Sequence, residues 1–189
     1  MKPPLRIAVL ECDSPLPNTQ ARFGDYGGLF TSLLRDGAKA AGLDEDKDLV
    51  ITKFPVHLEP ENYPDLEEID AILMTGSRMY SSLERKAKSL NTLMIGFNSF
   101  DNDPWILTLI EFVRRILEQR RIRIIGVCFG HQIIGRAMGA RVGRSKDRWE
   151  AAVHSIDLTD LGKQIFGQQT MVRKSSRLPS DSSQFPSDF

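Results

Sequence analysis

Residues 124–135 read IIGVCFGHQIIG, an apolar run that leads into a cysteine between two glycines. The apolar run is typical of a buried strand, and the residues after the cysteine continue with helical spacing. A nucleophile on a strand-to-helix turn has a strained backbone, which requires small residues two positions to either side of it. Gly126 and Gly130 satisfy this requirement around Cys128. The alternative is that Cys128 is a small core residue, because cysteine is among the most buried residue types. The spacing alone leaves both interpretations open.

Strand-like and helix-like segments alternate along the rest of the chain. Short apolar runs predict strands over residues 5–12, 48–56, 69–77 and 121–128. Helical spacing predicts one helix that is followed by Gly42 as its C-terminal cap, and a second that begins at Asp103 and Pro104. Nearly continuous apolar strands that alternate with helices indicate an open α/β fold, with a mostly parallel sheet, helices on both faces and right-handed crossovers. Residues 13–28 are turn-rich and predict a surface loop.

One domain is predicted over residues 1–168. Its later part, after the elbow helix, predicts two shorter strands, ARVGRS and WEAAVHSIDLT, and a short helix in DLGKQIFG. Residues 79–98 are predicted to be an insertion, because strand-to-helix connections usually have about 2–6 residues. Residues 169–189 are rich in serine and proline with few apolar residues, which predicts a disordered tail.

Composition excludes several classes of function. The chain has 25 Lys and Arg against 25 Asp and Glu, so no net charge favours nucleic acid or an anionic membrane. Its apolar stretches are too short for a membrane span. No metal-ligand spacing and no phosphate-binding loop is present, so neither a metal nor a cofactor is expected. The two cysteines make no disulfide framework, which favours the cytoplasm, and Cys12 is interpreted as a core residue.

The segment GVCFGHQIIGRAMGARVGRS resembles the nucleophile region of class I glutamine amidotransferases, whose signature runs G-x-C-x-G-x-Q. AILMTGS and WEAAVHSIDLT resemble neighbouring segments of the same family, and the resemblance spans roughly residues 5–168. It implies the flavodoxin-like layering of that family and a likeness to its stand-alone cytosolic members, including the γ-glutamyl peptidases. The ligand that it implies is a small γ-glutamyl compound such as glutamine. Because the chain has no attached synthase domain, both hydrolysis and ammonia supply to a separate synthase remain open.

The resemblance also implies roles for individual residues. Cys128 is expected to attack a γ-carboxamide and to hold the glutamyl group as a thioester. The N–H groups of Phe129 and of the Gly76–Ser77 turn are expected to form the oxyanion hole, and Gln132 to shape the glutamine pocket.

The catalytic base is the point at which this chain departs from the family. A cysteine nucleophile of this kind needs a histidine and an acid to orient it, and the family supplies them in a His-x-Glu motif well after the nucleophile. The three histidines here are His57, His131 and His154, and only His57 begins such a triplet, far before Cys128. The chain therefore resembles a family member that is incomplete in its C-terminal part. Its predicted function is a cysteine hydrolase with impaired turnover; the alternatives are a non-catalytic binding or scaffold protein and, more weakly, a protease-like or deglycase-like relative.

Overall fold

The computed structural model describes residues 4–77, 97–143 and 153–174. The chain forms two compact units, 1–143 and 144–189. The prediction of one domain over residues 1–168 stays a prediction.

The first unit contains a four-stranded parallel sheet. Its strands are β1 (Leu5–Leu10), β2 (Leu49–Phe54), β3 (Ala71–Met74) and β4 (Arg123–Gly126), in the order β2-β1-β3-β4. All three neighbouring pairs are parallel. The predicted open parallel α/β fold is confirmed.

Within the described residues of this unit, four α-helices connect or follow these strands. They are α1 (Pro17–Phe23), α2 (Tyr26–Ala40), α3 (Pro104–Gln119) and α4 (Phe129–Ala137), and a short 3₁₀ helix spans Leu66–Glu68. The β1-to-β2 and β3-to-β4 crossovers run in opposite directions along the sheet. Because such crossovers are right-handed, α2 and α3 lie on opposite faces.

The helix boundaries follow local chemistry. Asp25 caps α2, since its carboxylate accepts a hydrogen bond from the N–H of Gly28. Gly42 has φ 76°, the left-handed conformation expected of a glycine after a helix end. Asp103 precedes Pro104 at the start of α3 as predicted, although its side chain makes no capping hydrogen bond.

The core lies between the central strands and the apolar face of α3. Every residue of β3 is buried, and so are the last four residues of β1. The predicted apolar face of α3 is also buried, with Ile106, Leu109, Ile110, Phe112, Val113 and Ile116 all in the core cluster. The carboxyl ends of β1, β3 and β4 therefore meet at one edge of a firmly packed sheet.

The loop predicted over residues 13–28 contains the whole of α1 and the first turn of α2. Pro17 stands in the first turn of α1, a position that suits proline because its missing N–H has no intrahelical partner there. Most described side chains of α1 are exposed. No apolar periodicity marks this helix, which is why the sequence did not indicate it.

The second unit contains β5 (Val153–Asp157), α5 (Asp160–Phe166) and β6 (Thr170–Lys174), with the two strands antiparallel. The predicted strand in WEAAVHSIDLT and the short helix after it are present. Thr159 caps α5 by accepting a hydrogen bond from the N–H of Gly162 at 3.1 Å.

Three sequence predictions fall partly outside the described residues. Of ARVGRS, residues 140–143 form no strand and residues 144–145 are not described. The first residues of the predicted tail, 169–189, include the paired strand β6, and residues 175–189 lie outside the described part. The predicted insertion, 79–98, also lies outside the described residues except for Phe97 and Asn98, and the Phe97 ring packs edge-on against Trp105.

None of the described helices has the length and apolarity needed to cross a membrane.

Candidate active site

Cys128 occupies a tight turn between β4 and α4. Its backbone has φ 50° and ψ −101°, and Arg120 is the only other non-glycine residue with positive φ in the described ranges. Such a conformation costs on the order of 1–3 kcal/mol and persists only where the surroundings enforce it. The thiol is exposed to solvent. The strained strand-to-helix turn predicted from the sequence is therefore present.

Two glycines allow the turn to form. A Cβ on Gly126 would lie 2.6 Å from the carbonyl carbon of Gly130 and from the amide nitrogen of His131. A Cβ on Gly130 would lie 2.6 Å from the Cβ of Met74, in the central strand β3. Both distances are far shorter than ordinary van der Waals contact, so only glycine lets α4 start this close to the sheet.

Cys12 is buried, whereas Cys128 is exposed. It has no exposed surface, and burial raises the pKa of its thiol to about 12. Its Sγ lies 3.6 Å from the carbonyl oxygen of Leu10. This environment agrees with the interpretation of Cys12 as a core residue.

The Gly76–Ser77 turn lies beside Cys128. A Cβ built on Gly76 would lie 3.6 Å from the Cβ of Cys128. The N–H of Val127 donates to the carbonyl of Met74 at 3.0 Å, which extends the pairing of β3 and β4 up to the turn. The structure thus brings Gly76, one of the predicted oxyanion-hole residues, next to the predicted nucleophile, although the two are about fifty residues apart in sequence.

Phe129 begins α4 directly after Cys128. Its side chain is buried and its ring stacks on Trp105, with centroids 5.7 Å apart, which anchors the start of the helix to α3. The first N–H groups of an α-helix have no intrahelical acceptor. The N–H of Phe129 therefore stands at the helix end that favours negative charge.

Gln132 lies one turn into α4 and is held from outside the helix. Its Oε1 accepts a hydrogen bond from the Ser99 hydroxyl at 2.6 Å. On the same helix, Arg136 donates to the carbonyls of Ser99 and Asp101. Segment 97–102 and α4 are thereby joined, and sequence reasoning identified neither Ser99 nor Arg136, because nothing local marks them as partners.

The histidines do not form a catalytic pair with Cys128 among the described residues. His57 is engaged at both ring nitrogens, with Nδ1 2.8 Å from the Glu11 carbonyl oxygen and Nε2 3.0 Å from the Ser14 hydroxyl. Burial lowers the pKa of His57, so the ring is neutral at pH 7. His131 is exposed on α4, and of His154 only the backbone, in β5, is described.

Asp13 is another residue near the site that the sequence did not indicate. It is fully buried at the carboxyl end of β1, and its carboxylate accepts a hydrogen bond from the Ser77 hydroxyl at 3.2 Å.

Within the described residues, no group of three histidine, cysteine or acidic side chains is placed to hold a metal ion.

Comparisons with known proteins agree with this geometry. The family model of class I glutamine amidotransferases matches residues 52–181. A glutamine amidotransferase-like protein of Schizosaccharomyces pombe is 30% identical over 169 residues, which cover 87% of this chain and 60% of that protein. γ-Glutamyl peptidase 5 of Arabidopsis thaliana is 30% identical over 167 residues, with 87% and 55% covered.

The fold is also found among solved structures. A crystal structure of a glutamine amidotransferase from Thermotoga maritima superposes with a TM-score of 0.55 at 14% identity, covering 92% of this chain and 60% of that one. The chain spans little more than half the length of the relatives named here.

Proposed function

The chain belongs to the class I glutamine amidotransferase family, and we propose that within it Cys128 is the nucleophile of a hydrolase that acts on γ-glutamyl amides. Its Sγ attacks the carbonyl carbon of the γ-carboxamide, the C–N bond breaks, and the nitrogen departs with a proton as ammonia or an amine. The glutamyl group is left on Cys128 as a thioester, which water hydrolyses to release glutamate. The observation that carries this proposal is the exposed cysteine in a strained turn between two glycines.

The surroundings of Cys128 favour this chemistry. Cys128 directly precedes α4, so it stands at the helix end whose first N–H groups have no intrahelical acceptor. We assign the oxyanion hole to the N–H groups of Phe129 and of the Gly76–Ser77 turn, because Gly76 flanks Cys128 on one side and α4 begins on the other. Backbone donors of this kind stabilise the charge that develops during acyl transfer.

We propose a small γ-glutamyl amide, such as glutamine, as the substrate. Support comes from the names of the relatives, since proteins called glutamine amidotransferase-like and γ-glutamyl peptidase both match this chain. Gln132 is the proposed pocket residue, and its hydrogen bond to Ser99 holds its side-chain amide in place. We propose the cytoplasm as the compartment, where the two free thiols stay reduced.

We further propose that this chain completes the second half of the reaction slowly. Thioester hydrolysis needs a water activated by a base, and general base catalysis contributes about 10²–10⁴-fold. His57 is committed to Glu11 and Ser14, and no hydrogen bond of the described residues joins a histidine to Cys128. The thioester is therefore expected to accumulate.

The test uses L-γ-glutamyl-p-nitroanilide with the full chain and with Cys128→Ala and Cys12→Ala. The expected result is a burst of p-nitroaniline of no more than one equivalent, and a glutamyl adduct on Cys128 found by mass spectrometry. Cys12→Ala should behave like the parent, and Cys128→Ala should give neither burst nor adduct. A folded chain that never forms the adduct would refute the function. Turnover at an ordinary rate of about 1–10³ s⁻¹ would refute only the impairment.

A second candidate function is a binding protein without turnover. It is favoured by the same observation on the histidines, since no hydrogen bond of the described residues joins a histidine to Cys128. Thermal stabilisation by glutamine in the parent and in Cys128→Ser, with no adduct in the parent, would support this alternative over the hydrolase.

A further inference from the structure

A buried carboxylate links the ends of two central strands next to Cys128. Building on the oxyanion hole proposed above, we propose that Asp13 is a positioning residue that holds the Gly76–Ser77 turn in place for acyl transfer. Asp13 follows β1, and its side chain has no exposed surface. Burying a carboxylate is costly unless hydrogen bonds compensate, so its partners are informative.

Asp13 uses both of its carboxylate oxygens. Oδ1 accepts a hydrogen bond from the N–H of Ser14 at 2.7 Å, and Oδ2 accepts one from the Ser77 hydroxyl at 3.2 Å. The same hydroxyl accepts a hydrogen bond from the N–H of Phe97 at 3.0 Å. The Ser77 hydroxyl also lies 3.5 Å from the carbonyl oxygen of Phe97, so the contact with Asp13 is the shorter of its two contacts with an acceptor, and these bonds together hold the Ser77 side chain in place.

The residue before Gly76 is anchored to β1 as well. The N–H of Thr75 donates to the carbonyl of Leu10 at 3.1 Å, and the hydroxyl of Thr75 accepts from the N–H of Cys12 at 2.9 Å. Thr75 and Ser77 are thus both tied to β1, one on each side of Gly76. Since Gly76 is the residue that lies against Cys128, these anchors set the distance between the turn and the nucleophile.

Such anchoring matters for acylation and not for every reaction of the thiol. Oxyanion stabilisation requires donors about 2.7–3.1 Å from the developing charge. A displacement of about 1 Å costs up to roughly 100-fold in rate. Alkylation by iodoacetamide is a displacement at a saturated carbon and forms no oxyanion. The two reactions of the same sulfur therefore separate positioning of the turn from general damage to the site.

The experiment measures both reactions at Cys128 in the full chain, with γ-glutamyl-p-nitroanilide for acylation and iodoacetamide for alkylation. Asp13→Asn is the main variant, because its amide has one acceptor oxygen where the carboxylate has two, so it can no longer accept from both Ser14 and Ser77. The matched control is Asp65→Asn, whose carboxylate caps the 3₁₀ helix before the amino end of β3. We expect acylation by Asp13→Asn to fall about 10- to 100-fold with alkylation unchanged, and Asp65→Asn to match the parent in both rates.

The Ser77 variants give an independent measurement if Asp13→Asn does not fold. Ser77→Ala removes the hydroxyl and should slow acylation alone, whereas Ser77→Thr keeps the hydroxyl and should restore the rate. Parent-like acylation by Asp13→Asn or by Ser77→Ala overturns the role of Asp13, and so does an equal fall in both reactions. A parent chain that is alkylated but never acylated overturns this inference together with the proposed function.

Discussion

Replacing Gly130 by alanine tests the close contact between α4 and β3. The new Cβ would lie 2.6 Å from the Cβ of Met74 and 2.7 Å from its carbonyl oxygen, where ordinary contact begins at 3.4 Å. Met74 is fully buried in a central strand, so its backbone has little freedom to move. Overpacking of this kind costs about 1–3 kcal/mol, and we expect the upper end of that range.

The helix itself offsets part of this cost. Alanine in place of glycine stabilises a helix interior by roughly 0.5–1 kcal/mol, so the expected net loss for Gly130→Ala is about 2 kcal/mol. Gly135→Ala is the matched control in the same helix, because its Cβ would lie 3.6 Å from Val142 and 3.9 Å from Ala140, both ordinary contacts. Gly135→Ala should therefore be as stable as the parent or slightly more stable.

Urea denaturation followed by circular dichroism measures the difference. With a slope of about 1–3 kcal/mol/M for a small domain, a loss of about 2 kcal/mol moves the midpoint of Gly130→Ala down by about 1 M. Gly130→Ala should also lose the selective alkylation of Cys128 if α4 moves away from β3. A variant as stable as Gly135→Ala would show that α4 does not need to approach Met74 so closely, and would refute the reasoning about the turn.

Three further predictions concern thiol reactivity, pH and a histidine. In the native chain iodoacetamide should label Cys128 and spare Cys12, which has no exposed surface and a pKa raised by burial to about 12; equal labelling would refute the assignment. The hydrogen bonds from Arg6 lower the pKa of the Asp70 carboxyl to about 2. Because this pKa is lower in the folded state than the unfolded value of about 3.9, the ionised carboxylate stabilises the folded chain at pH values above about 3.9. Asp70→Asn should therefore lower the unfolding midpoint at pH 7, and the difference from the parent should shrink as the pH falls below about 4 and be lost as it falls through the folded pKa of about 2; a difference at pH 2 as large as that at pH 7 would contradict the ion-pair explanation. His57→Ala should destabilise by about 1–3 kcal/mol, because it removes the two hydrogen bonds of the ring to Glu11 and Ser14, yet leave alkylation of Cys128 unchanged; a marked fall in that rate would identify His57 as the base.

The fold was predictable because its signals are local. Parallel strands covered on both faces are continuous apolar runs, so residues 5–12 and 69–77 indicated strands without any knowledge of their neighbours. The helix at Pro104 carries its apolar residues at helical spacing and an Asp-Pro start. Helix α1 lacks both kinds of signal, since most of its side chains are exposed, and it was missed.

The site was predictable only where the residues it requires lie close together in the sequence. Gly126, Cys128 and Gly130 form a pattern whose backbone requirement is visible in the sequence, and the strained conformation of Cys128 confirms it. The oxyanion-hole assignments of Gly76 and Ser77 came from family resemblance, and they stay predictions even though the structure brings Gly76 to Cys128. The sequence also showed directly that no His-x-Glu triplet follows Cys128 in this chain.

By itself, the sequence indicated the alternation of β1 to β4 with α2, α3 and α4, the turn at Cys128 and the family, because each depends on residues close together in the chain. Only the tertiary structure decided that Asp13 meets Ser77, 64 residues away, that Ser99 holds Gln132, and that His57 is occupied by Ser14. Those contacts depend on the register of β1 with β3 and on how closely α4 approaches the sheet. A hydrogen bond of about 3 Å between distant residues has no local pattern, so it appears only when the packed strands bring its two partners together.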